Sequence, residues 1–354
     1  MPPSKPTSSA RATLADVARH VGVSAMTVSR AISQPDSVAK PTRDRIMAAV
    51  KKLGYLPNMA AGTLRSSQSF IIGGVVPTLG FSIFGDTVQG ISDVLNDSGY
   101  QLILGCSGYS LENEEKLVTA LIGRQADGII LTGTLHSPEL VPYLRGSGIP
   151  TVEMWDISEP RIDMAVGFSN FDLGQEIGRH LVACGYRRLG YVSGTPEHEK
   201  REKRAAARSR GFLAAVREAG LAPPARVSVP DPLDMEGSGV VAADFIAAHP
   251  EIDALLCINE IVGVGTLYEA QRRGWKIPQK LGIAGMGDAN IAHLVHPGLT
   301  TIHIPGYKIG QLSAEMMLAR LSHGRVKKRA VDVGFELVIR GSTRLPEKAG
   351  PAKR

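Results

Sequence analysis

The chain has 354 residues, 43 % hydrophobic and 21 % charged, with a formal net charge of +6; at about 150 residues per domain this predicts two or three globular domains. No run approaches the roughly 18 apolar residues of a membrane span, and the opening MPPSKPTSSARATLAD lacks the apolar core of a secretory signal. The three cysteines, Cys106, Cys184 and Cys257, stand far apart in apolar surroundings, which predicts buried thiols in a reducing cytoplasm and argues against a disulfide frame or a zinc site.

Residues 1–10 are Pro/Ser-rich and predicted disordered. Charge is uneven along the chain. Residues 1–70 hold ten Lys/Arg against three acids, a net +7, and the other 284 residues carry −1. A basic head on a nearly neutral body is the electrostatic footprint of nucleic-acid binding.

That head is patterned. In LADVARHVGVSAMTVSRAI, Leu14, Val17, Ala18 and Val21 fall on one helical face. Thr13 is the predicted N-cap, with Asp16 supporting the first turn. Gly22 ends this helix, and Ser24 caps a second whose inward face is Val28 with Ala31 or Ile32. Two helices of about eight residues joined by a tight Gly-containing turn make a helix-turn-helix. Its second helix presents Ala25, Met26, Thr27, Ser29 and Arg30 outward, toward a major groove. A third helix is predicted over 40–55, with Ile46, Ala49, Val50 and Leu53 inward and Arg43, Lys51 and Lys52 left for phosphates. Residues 57–68, PNMAAGTLRSSQ, read as a linker with weak helical character.

From Phe70 the texture changes. FIIGGVV (70–76), YQLILG (100–105), ADGIILTG (126–133) and IPTVEMW (149–155) alternate with segments of helix length, and the pattern returns with RLGYVSG (188–194), IDALLCIN (252–259), KLGIAGMG (280–287) and LTTIHI (299–304). Alternation of this kind implies parallel sheets with right-handed crossovers, and too many strands for one comfortable sheet, hence two α/β lobes. Ligands then sit at strand carboxyl ends or in the cleft between lobes. Other chemistry finds no support. GSGVVA (237–242) does not follow a β-rich run, His293 and His296 have no third ligand in view, and Cys106 has no recognisable base partner. No cofactor, metal or catalytic residue is therefore expected. Residues 343–354 lack leucine heptads and are expected to form a flexible tail with no tetramerising coiled coil.

The stretches TLADVARHVGVSAMTVSRAI, GYLPNMAAGTLRS, GGVVPTLGFSIFGDTVQGI, DGIILTG and NEIVGVGTLYEAQRRGWKIPQKLGIAGMGD together resemble the lactose/galactose-repressor (LacI/GalR) family of transcription regulators, over roughly residues 11–342. EMWDISEPRIDMAVGFSNF further resembles the branch that controls gluconate and ketogluconate utilisation. The resemblance implies an all-α helix-turn-helix DNA-binding domain (11–56), a hinge (57–68) and a two-lobed α/β effector-binding and dimerisation domain (69–342) like type I periplasmic sugar-binding proteins. It implies a cytoplasmic homodimer on pseudo-palindromic double-stranded DNA, acting as a repressor and not as an enzyme. Ala25, Met26 and Arg30 would face base edges, and Thr13, Ser24, Thr27, Ser29 and Thr42 would hold phosphates. Asn58 to Leu64 would form a hinge helix whose Leu64 wedges into the minor groove. In the cleft, Ser82, Phe84, Phe168, Arg208 and Asn259 would hold the effector, with Glu153 and Asp156 as hydroxyl acceptors. Arg208 can clamp a carboxylate, which fits a sugar acid. AGMGD also puts Gly287 where many sugar-binding members carry Asp, leaving Asp288 next door, and losing that carboxylate suits an anionic ligand.

Overall fold

The computed structural model describes residues 12–56, 68–80, 82–230, 234–324 and 326–346. The proposed hinge residues Asn58 and Leu64 lie outside them. The chain divides into two compact units, with the boundary between Ser69 and Phe70.

Among its described residues the first unit holds three helices, α1 (Leu14–Val21), α2 (Ala25–Ser33) and α3 (Lys40–Leu53), with a 3-10 turn Pro35–Ser37 before the third. The capping predicted from sequence forms. The Thr13 side chain accepts from Asp16 N while Thr13 N donates to Asp16 Oδ2 at 2.9 Å, so a short Asp does the reciprocal capping usually done by Glu or Gln. Gly22 stops α1 at φ +72°, a conformation that costs glycine nothing. Ser24 Oγ accepts from Thr27 N at 3.1 Å to start α2. Val17, Val21, Val28, Ala31, Ile46 and Ala49 are buried in one small core. Arg45 ties α3 to the end of α1 through a hydrogen bond to the Val21 carbonyl at 2.7 Å.

The second unit has two parallel sheets. One runs β11-β5-β4-β3-β1-β2, from β1 (Ile71–Val76), β2 (Gln101–Cys106), β3 (Gly128–Thr132), β4 (Thr151–Met154), β5 (Met164–Gly167) and β11 (Ala330–Asp332). The other runs β7-β6-β8-β9, from β6 (Leu189–Ser193), β7 (Ala225–Ser228), β8 (Ala254–Cys257) and β9 (Gly282–Ala284). A small antiparallel pair, β10 (Thr301–His303) with β12 (Glu336–Val338), extends the second lobe through a bridge from Thr300 to Ala284. The chain crosses between lobes after β5, after β10 and after β11, so neither lobe is contiguous in sequence.

Four of these strands were not read from sequence: β5, β7, β11 and β12. All are three or four residues long. Helix Asn170–Ala183 and helix Lys203–Glu218 cross in close contact. A Cβ on Gly174 would stand 2.0 Å from the Arg208 carbonyl oxygen, and one on Gly211 would stand 1.9 Å from that of Phe171. Only glycine permits backbones to approach so closely.

Two expectations are corrected. Cys106 is exposed, because the last residue of β2 reaches the open edge of its sheet; Cys184 and Cys257 are buried as expected. The chain is still packed at Thr343, which is 3 % exposed and within 3.1 Å of His180 Nε2 and 2.8 Å of Thr300 Oγ1. The ordered body therefore runs past residue 342. Among the described residues no helix is long and apolar enough to cross a membrane.

Candidate functional sites

On the first unit, Ala25, Met26 and Arg30 are exposed on one side of α2, and Met26 is 48 % exposed although apolar. Thr27, Ser29 and Thr42 are half-buried. The hydroxyls of Thr13 and Ser24 already serve as caps, so Ser24 Oγ lies 2.9 Å from Thr27 Oγ1 and Thr13 Oγ1 donates to Asp16 at 2.6 Å. Arg43 departs from its expected role. Its guanidinium turns back on the 3-10 turn, donating to the Pro35 carbonyl at 3.1 Å and to Asp36 at 3.3 Å. Lys51 and Lys52 stay exposed in the last turn of α3, where cations complement the helix dipole.

The second unit carries a cleft of about 640 Å³ between its lobes, open to solvent and lined by Phe84, Tyr109, Trp155, Arg204, Arg208, Asn259 and Glu260, among others. Of the residues expected there, Phe84, Arg208 and Asn259 line it. Phe84 packs edge-on against Trp155 with ring centroids 5.4 Å apart. Asn259 Oδ1 accepts from Val262 N at 2.9 Å as the N-cap of Glu260–Arg272, so its carbonyl is engaged and its amide NH2 is the group left for a ligand. Ser82 opens the helix Ser82–Asp97, and its side chain lies outside the described residues.

Three expected ligand contacts are corrected. Phe168 is fully buried behind the cleft wall, in edge-on contact with Trp155 and Phe335, and acts by supporting Trp155. Glu153 is also fully buried. It accepts from Ile162 N at 2.6 Å and lies 3.2 Å from His136 Nε2, whose Nδ1 lies 2.6 Å from Glu114. Asp156 accepts from Ser158 N and Ser158 Oγ of its own loop and from Thr134 Oγ1 of the loop after β3, at 2.9–3.0 Å. Both carboxylates spend their acceptors on the protein, so neither is offered to hydroxyls in the cleft.

The Glu114–His136–Glu153 cluster has a measurable consequence. Burial pulls the His136 pKa down, but hydrogen bonds and charge from the two carboxylates outweigh it and raise the pKa to about 9. A raised imidazole contributes stability that is fully present below its unfolded value near 6.5 and is lost as pH climbs through about 9. Thermal unfolding from pH 6 to 10 should lose on the order of 3 kcal/mol over that window, and a His136→Gln chain should be flatter there. An unchanged slope in that variant would show the cluster to be silent.

Charge inside the cleft is unequal. Arg204 and Glu202 are both buried and bonded in bidentate fashion. Burial opposes both charges, and their mutual attraction overcomes it: the Glu202 carboxyl is held below its usual range and the Arg204 guanidinium above its own. Arg204 thus arrives neutralised. Arg208 does not. Among the described residues its guanidinium donates to the neutral amide oxygen of Asn170 at 2.8 Å, its Nε has no hydrogen-bond partner, and burial pulls its pKa down. Asn170 also donates to the Trp155 carbonyl at 3.0 Å, so one side chain fixes both the cation and the aromatic wall.

Trp155 and Tyr109 hold φ near +67° and +60°. Bulky residues in that region are strained, and such strain gathers at ligand sites. Trp155 Nε1 is buried without a hydrogen-bond partner among the described residues, a donor waiting for an acceptor. The carboxylate that Gly287 was expected to remove is also still present. A Cβ at residue 287 would stand 2.2 Å from Glu260 Oε2, so Glu260 fills the space from the neighbouring helix. Sequence reasoning missed Glu202, Arg204 and Glu260; the available signal was the adjacency of Glu260 to Asn259 in INE.

Two family models match the chain: bacterial regulatory proteins of the lacI family over residues 13–58, and a periplasmic binding protein-like domain over residues 179–343. The HTH-type transcriptional regulator GntR of Escherichia coli K12 is 33 % identical over 332 residues, covering 94 % of this chain and 98 % of its own. The crystal structure of a LacI family transcriptional regulator from Silicibacter pomeroyi superposes with a TM-score of 0.87 at 28 % identity, over 94 % of this chain and 99 % of that one. The lac repressor dimer bound to operator shares the fold, with a TM-score of 0.78 at 23 % identity over 94 % of this chain and 98 % of that one. With a capped helix-turn-helix at its head, a two-lobed periplasmic-binding-like body behind it and relatives of this kind along nearly its whole length, the chain belongs to the lacI family of DNA-binding transcriptional regulators.

Proposed function

We propose that this regulator is a cytoplasmic homodimeric repressor of carbohydrate genes, released from its operator by a sugar acid of the gluconate or 2-ketogluconate class. The observation that carries the effector class is the charge in the cleft. Arg204 is offset by Glu202, whereas Arg208 faces the cavity with a neutral partner and an unused Nε–H. A guanidinium in that state takes a carboxylate by paired charge-assisted bonds. Trp155 Nε1 and the Asn259 amide supply donors for hydroxyl oxygens.

On the DNA side, Ala25, Met26 and Arg30 of α2 read base edges and Arg30 makes the guanine contact. Thr13, Ser24, Thr27, Ser29 and Thr42 hold phosphates, the first two while capping their helices. Residues 57–68, with Asn58 and Leu64, serve as the hinge, and residues 69–342 bind effector and form the dimer.

The test is calorimetric titration of the full chain with sodium D-gluconate and 2-ketogluconate, with and without an operator fragment from upstream of its own gene. Coupling between sites is reciprocal. Operator should therefore weaken sugar-acid binding by the same factor by which the acid weakens operator binding. If operator strengthens it, the ligand is a corepressor; if neither acid binds and a neutral sugar does, the effector class is wrong.

A further inference from the structure

We infer that Glu260 sets the charge specificity of the cleft: it carries a proton while an anionic effector is bound and donates its O–H to that ligand, so binding takes up one proton from solvent. The inference rests on the sugar-acid reading and adds the group that makes it conditional. Glu260 is 1 % exposed, lines the cleft, and its Oε2 has no hydrogen-bond partner among the described residues. Its carboxyl stands where a side chain at residue 287 would stand, 2.2 Å from that Cβ position, so the cleft keeps a carboxyl but borrows it from a helix start.

The groups around it define its chemistry. Arg208, from Lys203–Glu218, favours its ionised form. Asp288, from the loop after β9, opposes it, although Asp288 is itself held by Arg340 at 2.7 Å and His303 at 3.4 Å. Tyr109, whose own ionisation is pushed up to about 12 by burial, lines the same cleft as a neutral phenol, and Met286 and Ile258 add apolar surface. Burial is the largest influence on Glu260 and raises its pKa, its own backbone N–H opposes this more strongly than Arg208 does, and the balance stands at about 7.

The free cleft thus holds one cation without an ion-pair partner among the described residues, Arg208, which feels the Glu202 carboxylate only at a distance, and one carboxyl, Glu260, about half ionised at neutral pH. An effector carboxylate that takes Arg208 removes the charge that favoured ionised Glu260 and adds a like charge beside it. Both changes favour the neutral acid. A proton passes from solvent to one Glu260 oxygen, and that O–H becomes a hydrogen-bond donor to the effector. No bond in the ligand is made or broken. Ionised Glu260 would instead repel the acid, so affinity falls as pH rises above the free-state value.

The experiment is isothermal titration of the full chain with sodium D-gluconate at pH 6, 7 and 8, each in two buffers of different ionisation enthalpy. For a group that titrates near 7 in the free cleft and well above 8 in the complex, Kd should weaken about tenfold from pH 6 to pH 8. Proton uptake should rise from about one half per site at pH 7 to nearly one at pH 8. E260Q, neutral at every pH and still a donor, should show a flat Kd, no uptake, and about tenfold tighter binding than wild type at pH 8. Gluconate binding with a pH-independent Kd and no uptake in wild type overturns the role of Glu260 and leaves the effector class standing. So does a pH dependence that survives in E260Q. Absence of binding by both gluconate and 2-ketogluconate at all three pH values removes the effector class and this inference with it. The wild-type uptake decides even if E260Q folds poorly.

Discussion

Arg208→Gln should lose gluconate affinity by about 100-fold or more while the ligand-free chain becomes no less stable. The two signs come from one cause. Truncating one partner of a buried, hydrogen-bonded charge pair costs about 2–5 kcal/mol of binding. Before the ligand arrives, however, the guanidinium is a half-buried cation facing a neutral amide, with its Nε buried and unsatisfied among the described residues. Its removal relieves a desolvation cost in the free state, the usual exchange of stability for function at a binding site. Titration calorimetry and thermal unfolding on the same preparation check both halves. Arg208→Lys keeps the charge but loses the planar fork, so it should fall between the two. Binding of gluconate by Arg208→Gln within threefold of wild type would mean that another group holds the acid.

Glu202→Ala should be the most destabilising single change in the cleft, on the order of 3–5 kcal/mol, because it strands Arg204 as a buried, unpaired charge. Arg204 also lies over the Phe84 ring, 5.8 Å from its centroid, so the loss reaches the apolar wall. Thermal unfolding should drop on the order of 10 °C. The double change Glu202→Gln with Arg204→Met should recover most of it, since removing both members of a buried pair costs far less than removing one. If the double variant is as unstable as the single, the destabilisation comes from lost packing and the pairing argument fails. Any folded Glu202→Ala chain has two uncompensated guanidinium groups in the cleft and should hold an anion more tightly.

How much was legible in the sequence follows the range of the interactions. The first unit was readable almost to the residue because Thr13, Gly22 and Ser24 act on backbone within a few positions. Long β-branched runs such as 71–76 and 128–132 announced the buried strands of a parallel sheet. Strand β11 could not announce itself. Three residues gain meaning only by pairing with β5, 165 positions earlier at Ala330 against Ala165. In the cleft, Arg208 and Phe84 were reached through resemblance. Glu153 was misplaced because nothing near it in sequence says that His136 and the Ile162 N–H will claim it. Likewise, nothing local says that Glu260 will occupy the space left by Gly287. Partners distant in sequence decided those cases.

The glycine crossing of Asn170–Ala183 with Lys203–Glu218 bears on how a signal leaves the cleft. With Gly174 against the carbonyl of Arg208 and Gly211 against that of Phe171, there is no cushion of side chain to absorb a shove. The helix carrying the anion clamp and the one that begins where the chain enters the second lobe must shift as a single lever. A tug on the Arg208 guanidinium is delivered undamped to the Ser169–Asn170 threshold, and even one added methyl at position 174 would pry the lever apart.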